Sequence, residues 1–173
     1  MTCMKKNYLF FVFSLFMIFS FVFDKQIMSF FQSLRFIYLD YLMFGFSSIV
    51  LVVATGILYC SMISKKKPML YFLLGTGVSY VISYLLKLLV KIPRPLGSIE
   101  MGFGFPSSHA TVYFFMACFM SDRFDKYKYY FITLACLVSI SRIYLGVHNI
   151  GDVIGGGLLG TGLYLISRKW LKV

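Results

Sequence analysis

The chain has 173 residues, of which 60% are hydrophobic and 20% are aromatic. This composition excludes an ordinary soluble domain and indicates an integral membrane protein. The net charge of +11 would suggest nucleic-acid binding in a soluble protein, but here the lysines and arginines cluster between apolar runs, as orientation signals do in membrane proteins, so we expect no nucleic-acid partner.

The N-terminal third predicts two membrane spans with an interfacial helix between them. An apolar run from Tyr8 to Phe23 is interpreted as a transmembrane helix because no small-residue cleavage site follows it. From Gln26 to Asp40 apolar residues recur at helical spacing opposite polar ones, which predicts an amphipathic helix in the membrane interface, either a simple connector or a lip that guides a lipid headgroup. The uncharged run from Tyr41 to Met62 predicts a second span, because it is long enough to cross a hydrocarbon core about 30 Å thick.

Four further apolar runs predict four more spans. They are Met69 to Val90, Ser108 to Met120, Tyr129 to Val147, and Asn149 to Ile166. Gly156 and Gly160 in the last run form a Gly-x-x-x-Gly pair, which predicts close helix packing. The sequence therefore predicts an all-α integral membrane protein, with six transmembrane helices and one interfacial helix forming a single domain over residues 1–173.

The distribution of basic residues predicts the orientation of these spans. With six spans both termini lie on one side, and that side holds 11 of the 17 lysines and arginines. The positive-inside rule then places the termini in the cytoplasm. Arg94, His109, His148 and Asp152 all belong to the opposite, outward face. We expect these residues to converge there, as the groups of a catalytic site must.

Three short polar runs, residues 87–95, 106–109 and 141–152, are expected on this outward face, and cations lie in them. Lys87, Arg94 and Arg142 provide positive charge, and the only nearby acids are Glu100 and Asp152. Arginine is suited to bidentate contacts with phosphate oxygens. The sequence therefore predicts that the site binds a polyanion.

Both histidines of the chain fall in the same polar runs. His148 and Asp152 are four residues apart, so they share a face if the sixth helix begins before them, and the carboxylate can then orient the imidazole. A free imidazole nitrogen that faces a phosphate is a nucleophile. His109, at the start of the fourth span, is placed to protonate the departing oxygen. Ser107 and Ser108 add hydroxyl and amide donors at the same helix N-terminus.

Two other interpretations of these runs remain open. In a purely structural one, Asn149 caps the sixth helix, Asp152 is its third residue and His148 is incidental, although three partly buried cations are then left uncompensated. In a non-enzymatic one, the charges line the mouth of an anion channel or transporter, which does not require the two histidines. With six acidic residues in the chain and two near the site, we expect no metal and no cofactor.

The three runs resemble the signature of the type 2 phosphatidic acid phosphatase superfamily. The pattern reads Lys-x6-Arg-Pro, Pro-Ser-x-His and Ser-Arg-x5-His-x3-Asp. Its matching residues are Lys87, Arg94, Pro95, Pro106, Ser107, His109, Ser141, Arg142, His148 and Asp152. Ser108 stands where the family most often has glycine. The superfamily also contains soluble vanadium haloperoxidases. Six apolar spans argue against assigning this chain to that class.

The resemblance implies a metal-independent lipid phosphatase that passes through a phosphohistidine. It implies that His148 is the nucleophile, that Asp152 orients it, and that His109 is the acid. Phosphate would be held by Lys87, Arg94, Ser107, Ser108 and Arg142. The expected location is the bacterial inner membrane, with the site facing the periplasm or exterior. Lipid A 1-phosphate is the favoured substrate, because the short six-span plan resembles that of lipid A phosphatases, and undecaprenyl diphosphate and phosphatidylglycerophosphate are the alternatives. The sequence leaves the oligomeric state open.

Overall fold

A computed structural model describes residues 22–171 of the protein, and they form a helical bundle. The helices are α1 (22–33), α2 (Ile37–Ser47), α3 (Ile49–Met62), α4 (Lys66–Val90), α5 (Ser108–Arg123), α6 (Lys128–Tyr144) and α7 (Ile150–Leu171). A single 3-10 turn, Asp125–Tyr127, joins α5 to α6. Within these residues the only β pairing is an isolated bridge between Pro93 and Phe103. The predicted all-α class is confirmed for the part of the chain that is described.

Helix α5 lies at the centre of the bundle. It packs against α4, α6 and α7, and most of its side chains are buried. Phe115 and Phe119 form edge and stacked contacts with each other and with Tyr164 of α7. At 16 residues, α5 is about 24 Å long, which is less than the thickness of a hydrocarbon core.

Glycines allow α5 and α7 to approach closely. A Cβ at Gly156 would lie 2.5 Å from the Ser107 carbonyl oxygen, and one at Gly160 would overlap the Thr111 carbonyl oxygen. The close packing predicted from this Gly-x-x-x-Gly pair is confirmed. The Ser107 amide also donates to the Asp152 carbonyl oxygen at 2.9 Å. These contacts fix the start of α5 beside the start of α7.

The predicted second span is two helices. Helices α2 and α3 are bent by 52° relative to each other, because Ser48 between them is extended (φ −76°, ψ 146°) and its hydroxyl accepts from the Leu51 amide at 3.2 Å. Serine hydroxyls compete with the helical hydrogen-bond ladder, so adjacent serines are a common site of bending. The run from Tyr41 to Met62 that predicts the second span is therefore a bent pair of helices, which together are apolar and long enough for one span.

The predicted helix from Gln26 to Asp40 is also interrupted. Helix α1 ends at residue 33, and Phe36 is extended before α2 begins. Asp40, in the first turn of α2, accepts hydrogen bonds from Arg35 at 3.2 Å and from the Tyr144 hydroxyl at 2.7 Å. These contacts fix the start of a second helix where the sequence pattern indicated one continuous element.

Two of the described helices are long and apolar enough to cross a membrane. They are α4 and the Ile150–Lys169 part of α7, and the bent pair α2 with α3 is a third if it counts as one span. Helices α5 and α6 have 16 and 17 residues. The predicted first span, Tyr8 to Phe23, lies almost wholly outside the described residues. The count of six spans stays a prediction.

Candidate active site

Six of the predicted site residues line one cavity of about 480 Å³. They are Lys87, Arg94, Ser108, His109, Arg142 and His148. They come from the end of α4, the start of α5, the end of α6 and the segment before α7. Ser107 and Asp152 lie behind the cavity wall and are buried. The fold thus brings together polar runs that are far apart in the sequence.

His148 is oriented by Asp152. The ring Nδ1 lies 3.1 Å from Asp152 Oδ2, and both side chains are buried. His148 precedes α7, which begins at Ile150, so the pair forms without both residues being helical. A hydrogen bond from Nδ1 to the carboxylate leaves the lone pair on Nε2 free to act as a nucleophile.

The surroundings of His148 keep its ring neutral. Burial of the ring, and then the positive charges of Lys87, Arg142 and Arg94, hold the pKa of His148 well below its ordinary value. Burial and neighbouring cations both disfavour the protonated ring. At neutral pH the imidazole is therefore neutral, with Nδ1 facing Asp152 and Nε2 facing Arg94.

Lys87 is a buried cation that is held by backbone carbonyls. Its Nζ donates to the carbonyl oxygens of Gly104 at 2.8 Å and Phe103 at 3.2 Å. An ammonium one turn inside an apolar helix is costly unless it has such partners. A Cβ at Gly104 would lie 2.5 Å from Asp152 Oδ2, so only glycine lets this loop pass between Lys87 and Asp152.

Arg94 lies directly beside His148. Its Nη1 donates to the Val147 carbonyl oxygen at 2.8 Å and lies 3.5 Å from His148 Nε2. The same nitrogen is 2.8 Å from Glu100 Oε2. A phosphate placed next to His148 Nε2 would therefore also contact the guanidinium of Arg94.

Arg142 is held from two directions. Its Nη2 donates to Glu100 Oε1 at 2.6 Å, and its Nη1 contacts the Ser47 hydroxyl and carbonyl. The Ser47 carbonyl is available because the helix is interrupted at the next residue. The bend between α2 and α3 thus supplies a support for Arg142 that the sequence analysis did not identify. The adjacent serines within an apolar run were the only signal.

Four buried polar atoms at the site have no hydrogen-bond partner among the described residues. They are Arg94 Nε, Arg142 Nε, Ser107 Oγ and His109 Nε2. Unpaired buried polar atoms are costly, so each calls for an explanation. Three more among the described residues, on Thr76, Ser121 and Ser139, lie away from the cavity. Ser108 differs from the four atoms at the site because its hydroxyl accepts from the Ser83 hydroxyl at 2.9 Å. The unpaired set indicates a ligand rich in hydrogen-bonding oxygens.

Asp24 is another residue that the sequence analysis did not place near the site. Its Oδ1 accepts from the Ile150 amide at 2.9 Å, which satisfies a free donor at the start of α7. Asp24 therefore fixes the segment that carries His148. Its distance of 126 residues from Ile150 in the chain explains why no sequence pattern indicated the contact.

The site is poor in metal ligands. Across the described part of the chain, no three His, Cys, Asp or Glu side chains lie together as metal ligands would. The two carboxylates near the cavity, Glu100 and Asp152, are each paired with a cation or with His148.

A family model described as the PAP2 superfamily matches residues 68–173. Phosphatidylglycerophosphatase B of Bacillus subtilis is 36% identical over 113 residues, which cover 57% of this chain and 56% of that protein. Lipid A 1-phosphatase of Helicobacter pylori is 35% identical over 75 residues, which cover 43% of this chain and 37% of that protein. The first curated relatives are matched over 23% and 56% of their own length.

A solved structure shares the architecture over nearly the whole chain. The crystal structure of a transmembrane PAP2-type phosphatidylglycerolphosphate phosphatase from Bacillus subtilis superimposes with a TM-score of 0.69 at 25% identity. The superposition covers 92% of this chain and 94% of that one. The residues matched by the family model, 68–173, include the cavity residues Lys87, Arg94, Ser108, His109, Arg142 and His148.

Proposed function

Because the chain belongs to the PAP2 superfamily, we propose that it is a metal-independent phosphatase that removes phosphate from a membrane lipid through a phosphohistidine intermediate. The observation that carries this proposal is the placement of His148. Its Nδ1 is held by Asp152 while its Nε2 lies beside Arg94 in a cavity that also contains Arg142 and Lys87. A neutral, oriented nucleophile surrounded by three cations is suited to a phosphate ester.

The reaction has two steps at one phosphorus atom. His148 Nε2 attacks phosphorus and forms the P–N bond as the P–O bond to the lipid breaks, and His109 gives a proton to the departing oxygen. His109 then takes a proton from water, whose oxygen attacks phosphorus and releases His148 and inorganic phosphate. Arg94, Arg142, Lys87, Ser107 and Ser108 hold the phosphoryl oxygens, and Asp152 keeps the Nδ1 proton in place.

The unpaired polar atoms support these roles. His109 Nε2 is buried and unpartnered at the cavity, as expected of a group whose partner is the leaving oxygen. Arg94 Nε, Arg142 Nε and Ser107 Oγ are available to a tetrahedral oxyanion. The scarcity of carboxylates at the site supports a mechanism in which arginines, and not metal ions, stabilise the transferring group.

The shape of the cavity supports a lipid substrate. Its wall continues from the cations over Ile49, Tyr80 and Tyr84, which lie on α3 and α4 and are more than half exposed. A phosphate can therefore reach His148 while the chains of the same molecule lie along the apolar surface of the bundle. Lipid A 1-phosphate remains the favoured headgroup. The match to phosphatidylglycerophosphatase B supports phosphatidylglycerophosphate, and undecaprenyl diphosphate is the third candidate.

The proposed orientation places the site on the outer face of the bacterial inner membrane. Lys87, Arg94, His109, Arg142 and His148 all lie at one end of α4 to α7. The opposite ends carry the basic groups at Lys65–Lys67, Arg123–Lys128 and Arg168–Lys169, which the positive-inside rule assigns to the cytoplasm. We propose a single six-span domain with cytoplasmic termini.

A substrate assay in the presence of a chelator tests the function. Purified protein in mixed micelles would receive lipid A 1-phosphate, undecaprenyl diphosphate and phosphatidylglycerophosphate separately, with excess EDTA, and kcat/KM for phosphate release would be compared. We expect turnover of at least one lipid, inhibition by vanadate and no effect of EDTA. Activity that disappears with EDTA and returns with Mg²⁺ would contradict metal independence, and no release from any lipid would contradict the phosphatase assignment.

A further inference from the structure

Glu100 bridges the two arginines of the site. Its Oε1 lies 2.6 Å from Arg142 Nη2 and its Oε2 lies 2.8 Å from Arg94 Nη1. The two arginine side chains are largely buried, whereas the Glu100 side chain keeps 39% of its surface exposed. The carboxylate thus enters the site from its open side and uses both of its oxygens there.

A substrate phosphate needs the same position. Arg94 Nη1, which holds Glu100 Oε2, is also the nitrogen that lies 3.5 Å from His148 Nε2. A phosphorus atom in line with Nε2 must bring its oxygens to this guanidinium edge. The carboxylate satisfies only the terminal nitrogens, and the Nε atoms of both arginines stay unpaired. A tetrahedral phosphate offers more acceptors than a carboxylate, so it can satisfy this pair of arginines more fully.

We propose that Glu100 is a specificity-determining residue whose carboxylate occupies the anion site between Arg94 and Arg142 until a dianionic phosphate displaces it. The inference rests on the proposed function, because it assumes that the two arginines bind the substrate phosphate. A singly charged phosphodiester gains no more Coulomb attraction from two guanidinium groups than the carboxylate it would replace. A phosphomonoester or terminal diphosphate carries about two charges and gains more. Glu100 lowers the apparent affinity of every anion by the same factor, so a weakly attracted phosphodiester of bulk phospholipid leaves the site largely unfilled while a dianionic phosphate still binds.

The loop that carries Glu100 is fixed at its base and sparsely packed at its tip, where Leu96, Ile99 and Met101 are exposed. Its base is closed by the Gly104 amide, which donates to the Ile92 carbonyl oxygen at 2.8 Å, and by the bridge from Pro93 to Phe103. Gly97 and Gly102, on either side of Glu100, have φ of +83° and +97°, and no atom lies within 4 Å of an added Cβ at either position. Displacement of Glu100 therefore requires movement of the tip alone, since the base is held and the Phe103 and Gly104 carbonyls accept from Lys87.

Neutralising Glu100 should change the affinity for phosphate in opposite directions depending on whether the residue competes with phosphate or only supports the arginines. If Glu100 competes with phosphate, its neutralisation raises the fraction of protein with an open anion site and tightens phosphate binding in proportion. If Glu100 only holds Arg94 and Arg142 in place, its neutralisation weakens phosphate binding, since both arginines lose a support. The two roles predict opposite changes in the same dissociation constant.

Equilibrium binding of ³²P-labelled inorganic phosphate at pH 8 tests the proposal without requiring turnover. We expect Glu100→Gln and Glu100→Ala to bind phosphate about two- to fivefold more tightly than the wild type, the range expected for release of a half-exposed ion pair. Asp125→Asn is the matched control, because it makes the same charge change in an exposed pair with Lys128 in the connection between α5 and α6. It should leave the dissociation constant unchanged.

A phosphodiester competitor supplies the second readout. Phosphatidylglycerol in the micelles should displace labelled phosphate several-fold more effectively from Glu100→Gln than from the wild type or Asp125→Asn. Equal or weaker phosphate binding by both Glu100 variants, in samples that elute as monodisperse protein, would overturn the proposal while the phosphatase assignment stands. Absence of phosphate binding by every protein, the wild type included, would overturn the assignment of the anion site itself.

Discussion

One oxygen of Asp152 serves two neighbouring groups. Oδ2 lies 3.1 Å from His148 Nδ1 and accepts from the Asn149 amide, also at 3.1 Å. The second contact is the return half of a capping box, in which the third helical residue binds the backbone amide of the cap. The sequence had left helix capping and histidine orientation as alternatives. The structure shows that one carboxylate makes both contacts, so the start of α7 and the tautomer of His148 depend on the same side chain.

The sequence predicted which polar residues converge better than it predicted their partners. Residue type and spacing were sufficient to predict that Lys87, Arg94, Arg142 and His148 meet, because short motifs carry charge into otherwise apolar runs. The contacts of Glu100 and Ser47 with Arg142 join residues 42 and 95 positions apart. Such pairings depend on how loops and helix breaks are placed in space, and no local periodicity encodes them.

The ionisation of Glu100 predicts how its effect depends on pH. Burial raises the pKa of Glu100, but Arg142 and Arg94 outweigh burial and hold that pKa below its ordinary value, which is about 4.3 for glutamate. The carboxylate therefore keeps its charge down to that lowered pKa and remains a competitor from pH 8 to pH 5. We expect the ratio of phosphate affinities of Glu100→Gln and wild type to stay constant over this range and to approach one only at lower pH.

Measuring the ratio at each pH cancels the titration of phosphate itself, which is the same for both proteins. A ratio that already falls toward one between pH 7 and pH 6 would show that Glu100 takes up a proton there, contrary to its position between two arginines.

At the scale of elements, apolar periodicity predicted where helices lie but not where they bend. The boundaries of α4, α5, α6 and α7 fall within five residues of those predicted. The run from Tyr41 to Met62 carries no charge, and its bend depends on Ser48 capping α3 and on Ser47 meeting Arg142. The second of these interactions is tertiary, so hydropathy alone favoured one unbroken span.

The packing of α7 against α5 can be tested with two glycines of the same helix. A Cβ at Gly160 would overlap the Thr111 carbonyl oxygen, whereas nothing lies within 4 Å of a Cβ at Gly162. We expect Gly160→Ala to destabilise the protein by about 1–3 kcal/mol, the usual cost of overpacking. Gly162→Ala should be neutral or stabilising by up to about 1 kcal/mol, because alanine favours a helix over glycine.

Thermal denaturation in detergent, followed by size-exclusion elution of the remaining folded protein, would compare both variants with the wild type. Equal Tm values for Gly160→Ala and Gly162→Ala would show that α5 and α7 do not pack as closely as described.

At the scale of the whole molecule, the alternation of helix directions assembles the site. The end of α4, the start of α5, the end of α6 and the start of α7 must share one end of an antiparallel bundle, and all the polar runs are located at those four points. The sequence could predict this convergence because spans and connections alternate regularly. It could not predict that Asp24 of α1 reaches the start of α7, since that contact depends on how α1 packs on the completed bundle.

The proposed role of His148 is to carry the phosphoryl group. It would be tested by trapping labelled protein from ³²P-labelled 4-nitrophenyl phosphate and from the best lipid of the substrate assay. The quench must be alkaline, because the P–N bond of a phosphohistidine is labile in acid. Wild type, His148→Ala and His109→Ala would be compared as monodisperse samples. Nitrophenolate departs without a proton, so the loss of His109 should spare the first step with this ester and slow only hydrolysis of the intermediate.

This role predicts transient label on the wild type, accumulated label on His109→Ala and no label on His148→Ala. Turnover by His148→Ala should fall below about a hundredth of the wild-type rate, because no neighbouring group can replace the nucleophile. Label on His148→Ala at the level of the wild type, or a rate above that limit, would contradict it.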